Sequence, residues 1–181
     1  KTNKIVHIIH REKREGLGRA YIAGMKYALK DADLIMTMDC DFSHNPLEIP
    51  NFIKKINQGY DMVLGSRYIK GGGTYNWPFY RKLISFGGNF LPRLILGLKT
   101  YDNTTGFRCY KKKVLESLNL DEIKSNGYSF LVEMVFLIQK KGFKIGETPI
   151  LFKDRIYGET KISKKEIFRT LKTLARLRFN L

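Results

Sequence analysis

Asp39 and Asp41 close the apolar run Leu34-Ile35-Met36-Thr37-Met38, two carboxylates two residues apart where a buried strand would leave its sheet. On a straight strand they would face opposite ways, whereas a chain turning out of the sheet can bring both toward one cation. Such oxygen donors suit Mg2+ or Mn2+, hard ions that take one or two carboxylates from a protein and draw other ligands from water and substrate phosphates. Ligands of open α/β sheets bind at this carboxyl end of the strands. The chemistry on offer is the handling of a metal-bound diphosphate. An Asp-x-Asp pair alone also fits a solvated strand end, so its meaning rests on what the other strand ends supply.

They supply cations. Arg67 ends the strand-like run Asp61-Met62-Val63-Leu64-Gly65-Ser66, and Arg155 and Lys161 follow the last strand. Arginine grips phosphate oxygens with a two-pronged guanidinium, and lysine acts as a point charge. Lys70-Gly71-Gly72-Gly73, flanked by Arg67, Arg81 and Lys82, is expected to be a mobile cationic loop. Glu133 sits inside an apolar helical pattern and reads as a paired structural acid. Cys40 and Cys109 lie in apolar segments and read as buried free thiols, which suits a reducing compartment.

The elements that must position these residues alternate. Helices are predicted from Gly16-Leu17-Gly18 through Leu29, from the Asn45 cap to Gly59, over Lys111–Leu118 and over Phe130–Lys141. Strands are predicted at Ile5–Ile9, at Gly106–Tyr110 and at Ile145–Phe152, the last at an edge because of Pro149. This order predicts an α/β fold, a mostly parallel sheet flanked by helices. Trp77 to Leu98 is amphipathic and basic, a pair of helices split at Pro92; it fits a membrane interface or a core helix with a solvated basic side. Ser163-Lys164-Lys165-Glu166 forms a capping box that opens a last basic amphipathic helix, suited to anionic lipid or to packing on the domain.

With 181 residues the chain fits a single domain, residues 1–181, able to bury a substantial core. Lys plus Arg number 33 against 17 Asp plus Glu, a formal charge of +16, so partners are anionic: phosphorylated substrates, acidic lipids or nucleic acid. Nucleic acid is disfavoured, because the cations fall at strand ends rather than along one stripe. The sequence has no 18-residue apolar span, and its first residues do not read as a signal peptide, so none is expected in this stretch. It opens on Lys1 and soon enters a strand-like run, so earlier strands of the same domain are expected ahead of it.

Five collinear segments carry a resemblance. Met38-Asp39-Cys40-Asp41-Phe42-Ser43-His44-Asn45-Pro46, Gly65-Ser66-Arg67-Tyr68, Trp77-Pro78-Phe79-Tyr80-Arg81-Lys82-Leu83-Ile84-Ser85, Thr105-Gly106-Phe107-Arg108 and Asp154-Arg155-Ile156-Tyr157-Gly158-Glu159-Thr160-Lys161 resemble those of dolichol-phosphate mannosyltransferases, inverting family 2 glycosyltransferases of the Rossmann-like GT-A fold. The resemblance implies transfer of mannose from GDP-mannose to dolichyl or another polyprenyl phosphate at the cytosolic face of a membrane. That membrane would be the endoplasmic reticulum in eukaryotes or the plasma membrane in prokaryotes, and an anchoring domain or subunit is possible. It further implies that Asp39 and Asp41, with Ser43 close by where relatives often carry Gln, bind metal and donor diphosphate. Arg155 and Lys161 would hold the donor diphosphate, and Arg67, Arg81 and Ser85 would serve the acceptor phosphate. The family's first strand, with its Pro-x-Tyr-Asn-Glu-like motif, has no counterpart here, so base selectivity stays open. A polyprenyl-phosphate glucosyltransferase and, from another class, a non-catalytic basic membrane-binding module are the alternatives.

Overall fold

The computed structural model describes residues 5–154 and 164–179. In chain order these form α1 (Leu17–Ala28), β1 (Leu34–Thr37), α2 (Ile49–Asn57), β2 (Met62–Ser66), β3 (Gly73–Tyr75), α3 (Phe79–Leu96), β4 (Arg108–Lys111), α4 (Lys112–Glu116), α5 (Tyr128–Lys140), β5 (Ile145–Pro149), β6 (Leu151–Lys153) and α6 (Lys164–Phe179).

Four strands make the central sheet in the order β1-β4-β2-β5. β1, β2 and β5 share one direction, and β4 lies between β1 and β2 running against both. Register follows from burial on two faces. Ile35, Met62, Leu64 and Tyr110 join one core with α1, α4, α5 and α6, while Val63 and Cys109 join Phe52, Ile56, Phe107 and Ile150 under α2. Val63 pairs with Cys109 and Met62 with Tyr110, so a slip of one residue would exchange the two cores.

Several expectations are corrected. Ile5 to Ile9 is not a strand: its apolar side chains are exposed, and among the described residues no strand pairs with the outer edge of β1. Residues 79–96 form one helix rather than two, since Pro92 is itself buried and its packing offsets the lost backbone bond. The run from Ile145 is two strands: β5 edges the main sheet, and after Pro149 the chain crosses to pair β6 with β3, a strand absent from the sequence reading. The triple glycine has a steric purpose. A Cβ on Gly72 would collide with the carbonyl oxygen of Ser66, and Gly71 holds φ 89°, so the glycines of the cationic loop make a tight turn into β3. Cys109 is buried, and burial lifts its thiol to about 11, but Cys40, in the turn beyond β1, is exposed. The Ser163 cap lies outside the described residues.

α6 packs on α3 and α5. Leu174 is 1% exposed, and Arg176 reaches Glu133 at 2.6 Å, so the helix is partly a core element. Glu133 is the paired structural acid expected of it, with its second oxygen accepting from the Ser125 backbone N–H.

Candidate active site

The turn out of β1 starts where Thr37 Oγ1 donates to the Gly106 carbonyl at 2.7 Å. Asp39 follows, and its backbone N–H donates to Nδ1 of His44, a buried ring stacked on Phe107. Burial holds His44 below its usual value of 6.5 against the pull of Asp39 and Asp41. With Nδ1 accepting, the ring is neutral and its 4.0 Å approach to the Asp39 carboxylate is not a salt bridge. Phe42 takes φ 63°, rare for a non-glycine, and reverses the chain. Asp41 Oδ1 accepts from both the backbone and the hydroxyl of Ser43. The Ser43 carbonyl in turn accepts from Lys153 N–H, which brings the end of β6 and Asp154 to this turn.

Asp39 is pressed from behind. A Cβ on Gly106 would stand 3.1 Å from its Oδ1 and 2.7 Å from the Tyr21 hydroxyl, so only glycine leaves room for both. Tyr21 donates to Asp39, and burial followed by the Asp39 charge pushes the phenol well above its ordinary range.

Arg67 is held on three sides. Its Nε and Nη2 donate to the two oxygens of Asp102, each at 2.7 Å, and Nη2 also donates to Thr104 at 3.0 Å. Burial would depress the guanidinium, but Asp102 outweighs it and raises its affinity for the proton. Losing Asp102 would strand a buried charge at about 3–5 kcal/mol. A ligand would therefore meet Arg67 through Nη1. Arg81, on α3, donates from Nη1 to Asp154 at 2.7 Å and lies over the Trp77 ring at 4.0 Å. Ser85, one turn on, accepts from the Tyr68 hydroxyl at 2.7 Å.

The loop between α3 and β4 is pinned by residues to which the sequence reading assigned no site role. Asn89 accepts from the N–H groups of Asn103 and Thr104, and Glu147 from those of Tyr101 and Asp102. Arg108, fully buried, donates to the carbonyls of Asn103, Thr105 and Leu131. The one signal was Asn89 itself, a polar interruption of the apolar stripe of α3.

Asp39, Arg67, Arg81 and Ser85 thus share one cleft of about 330 Å3, whose remaining wall is largely apolar: Ile84, Leu91, Pro92, Val132, Leu171 and Leu174 from α3, α5 and α6. Asp41 and Ser43 sit in the adjoining turn, bonded to each other, and Arg155 and Lys161 lie outside the described residues. Two carboxylates and a hydroxyl are all-oxygen donors, which fits a hard divalent ion. No cluster of three or more His, Cys, Asp or Glu suited to a metal occurs among the described residues, so such an ion would take its other ligands from substrate and water.

The description of glycosyl transferase family 2 matches residues 1–118. The chain belongs to glycosyltransferase family 2. It is 43% identical over 159 residues to an undecaprenyl-phosphate mannosyltransferase of Micrococcus luteus, covering 87% of this chain and 65% of the relative. It is 37% identical over 163 residues to a polyprenol monophosphomannose synthase of Mycolicibacterium smegmatis, covering 90% of this chain and 62% of the relative. The chain therefore spans a little under two thirds of the length of these curated relatives. Among solved structures it resembles glucosyl-3-phosphoglycerate synthase of Mycobacterium tuberculosis with phosphoglyceric acid, at TM-score 0.64 and 15% identity over 93% of this chain and 57% of that one. The same enzyme with Mn2+, UDP-glucose and glycerol 3-phosphate aligns at TM-score 0.62 and 16% identity, over 92% and 56%. These likenesses establish the GT-A fold, with its mixed sheet between helices.

Proposed function

We propose that the protein of which this chain is part transfers mannose from GDP-mannose to a polyprenyl phosphate such as dolichyl phosphate at the cytosolic surface of a membrane. The observation that carries this reading is the cleft, whose wall joins apolar side chains of α3, α5 and α6 to Arg67, Arg81 and Asp39. Such a mixed lining matches an acceptor with a hydrocarbon tail and an anionic head, and the names of the Micrococcus and Mycolicibacterium relatives agree with it.

A phosphate monoester has its second pKa near 6, so at neutral pH the acceptor is already a nucleophile and no protein base is required. One of its oxygens would bond to the anomeric carbon of mannose from the face opposite the nucleotide, as the bond from that carbon to the diphosphate oxygen breaks. Arg67 and Arg81 would offset repulsion between the two anions and align the attack. Asp39 and Asp41, with Ser43 beside them, would hold Mg2+ or Mn2+. That ion supplies charge neutralisation for the departing diphosphate. Arg155 and Lys161, outside the described residues, would hold the donor diphosphate.

The exposed apolar side chains of α3, Phe79, Leu83, Phe86, Phe90 and Leu94, would rest on the bilayer that holds the acceptor, with Lys82 among them. No described helix is long and apolar enough to cross a membrane. The test is to assay the full-length protein with GDP-mannose and with UDP-glucose against a polyprenyl phosphate. Mannosyl lipid is expected, and exclusive use of UDP-glucose would refute the mannose assignment.

A further inference from the structure

Trp77, the chain's single tryptophan, stands two residues ahead of α3 and is 8% exposed. Both arginines of the cleft rest against it: the guanidinium carbon of Arg81 lies 4.0 Å from the ring centroid and that of Arg67 5.4 Å. Phe152 meets the ring nearly edge-on, with centroids 5.3 Å apart at 76°. The cations use the π faces of the indole, which leaves the in-plane Nε1–H for a hydrogen bond. That N–H is buried and has no acceptor among the described residues, and the same holds for Nε of Arg81.

Native interiors leave few donors unmatched, and here two occur on stacked neighbours that both line the cleft. Of the carboxylates nearby, Asp102 pairs with Arg67, Asp154 pairs with Arg81, and Asp39 accepts from Tyr21. The unmet need is therefore for an acceptor-rich anion between two guanidinium groups. We propose that Trp77 is a phosphate-binding residue of the acceptor site, giving its Nε1–H, beside Nε of Arg81, to an oxygen of the lipid phosphate while its ring keeps the two guanidiniums at a fixed spacing. This rests on the acceptor reading above and adds one neutral donor to it.

The 181-residue chain is titrated calorimetrically with farnesyl phosphate, farnesol and inorganic phosphate. The preference for farnesyl phosphate over farnesol measures the phosphate contacts, and inorganic phosphate tests whether the tail is needed. Trp77→Phe keeps an aromatic face but removes the N–H together with part of the buried ring, and Arg81→Lys keeps the charge but removes Nε together with the Nη1 bond to Asp154. Each is expected to shrink the preference about tenfold, the size of one hydrogen bond to a charged group, with farnesol affinity unchanged; both variants should lower the thermal midpoint, and the ratio of the two affinities is insensitive to that loss. Farnesyl phosphate should also shift the emission of Trp77 in the unaltered chain, at far lower concentration than inorganic phosphate. An unaltered preference in both variants would overturn the proposal and leave the acceptor reading standing. If the unaltered chain itself prefers farnesyl phosphate no more than farnesol, both fall.

Discussion

Asp39 works in a space that one missing methyl group keeps open. Gly106→Ala would set a Cβ 3.1 Å from its Oδ1 and 2.7 Å from the Tyr21 hydroxyl, so the carboxylate must turn away from its present position. The expected result is at least a tenfold loss in Mn2+-dependent GDP-mannose affinity, measured by calorimetry on the full-length protein. Adding Tyr21→Phe removes the closer of the two clashing atoms and should restore part of that loss. The two halves of the site should also separate. Asp41→Ala, or removal of the metal by chelation, is expected to abolish metal-dependent donor binding. Arg81→Ala should instead raise the KM for the lipid acceptor tenfold or more with donor affinity kept. The acids and arginines were legible in the sequence because charged side chains at strand ends are conspicuous. The roles of Asn89, Asn103, Arg108 and Glu147 were not, because their work is to bond the backbone of a loop, and which loop is settled only by packing.

Asp61 shows how a single acid ties elements together. It sits at the start of β2, accepts from the Lys144 N–H that precedes β5, and pairs with Lys113 of α4 at 2.7 Å and Lys111 of β4 at 3.6 Å. Burial pushes its carboxyl up, but the Lys113 and Lys144 bonds and the two lysine charges outweigh that and hold it below its ordinary 3.8. A carboxyl depressed in the fold stabilises it above the unfolded value and loses that contribution as pH falls through the folded value. Asp61→Asn should therefore lower the thermal midpoint at pH 7, and the gap from the unaltered protein should close below about pH 3.8. The helices α1, α2, α4 and α5 followed the apolar periodicity to within a few residues at each end. The β3–β6 ribbon did not, since three-residue strands have too little periodicity to read and form only because each finds the other.

Over the whole molecule, the positive charge and the bare apolar side of α3 call for different partners at one surface. On the proposed function, the net charge of +16 would draw the chain to anionic lipid across roughly a Debye length, about 8 Å in physiological salt, and apolar contact would then hold it. Leu83→Ser with Phe90→Ser should weaken binding to phosphatidylglycerol vesicles several-fold in sedimentation assays while leaving the thermal midpoint within about 1 °C, because both side chains are exposed. Raising salt should weaken binding of the unaltered and altered chains alike. Salt-independent binding would contradict the electrostatic part, and an undiminished double variant the apolar part.

From sequence alone came the alternation of elements, the acids at the end of β1, the cations after β2 and the amphipathic strip that became α3, all of them local properties of side-chain type and spacing. Tertiary structure decided the rest. It set β4 against the direction of its neighbours, drew Arg176 from the last helix into the core against Glu133, and fastened Arg67 to Asp102 so that only part of its guanidinium faces the cleft. It also stacked two arginines on Trp77 beside the acids of β1, across nearly forty residues of chain. Periodicity records which face of an element is buried; which distant group meets that face is set only when the elements pack.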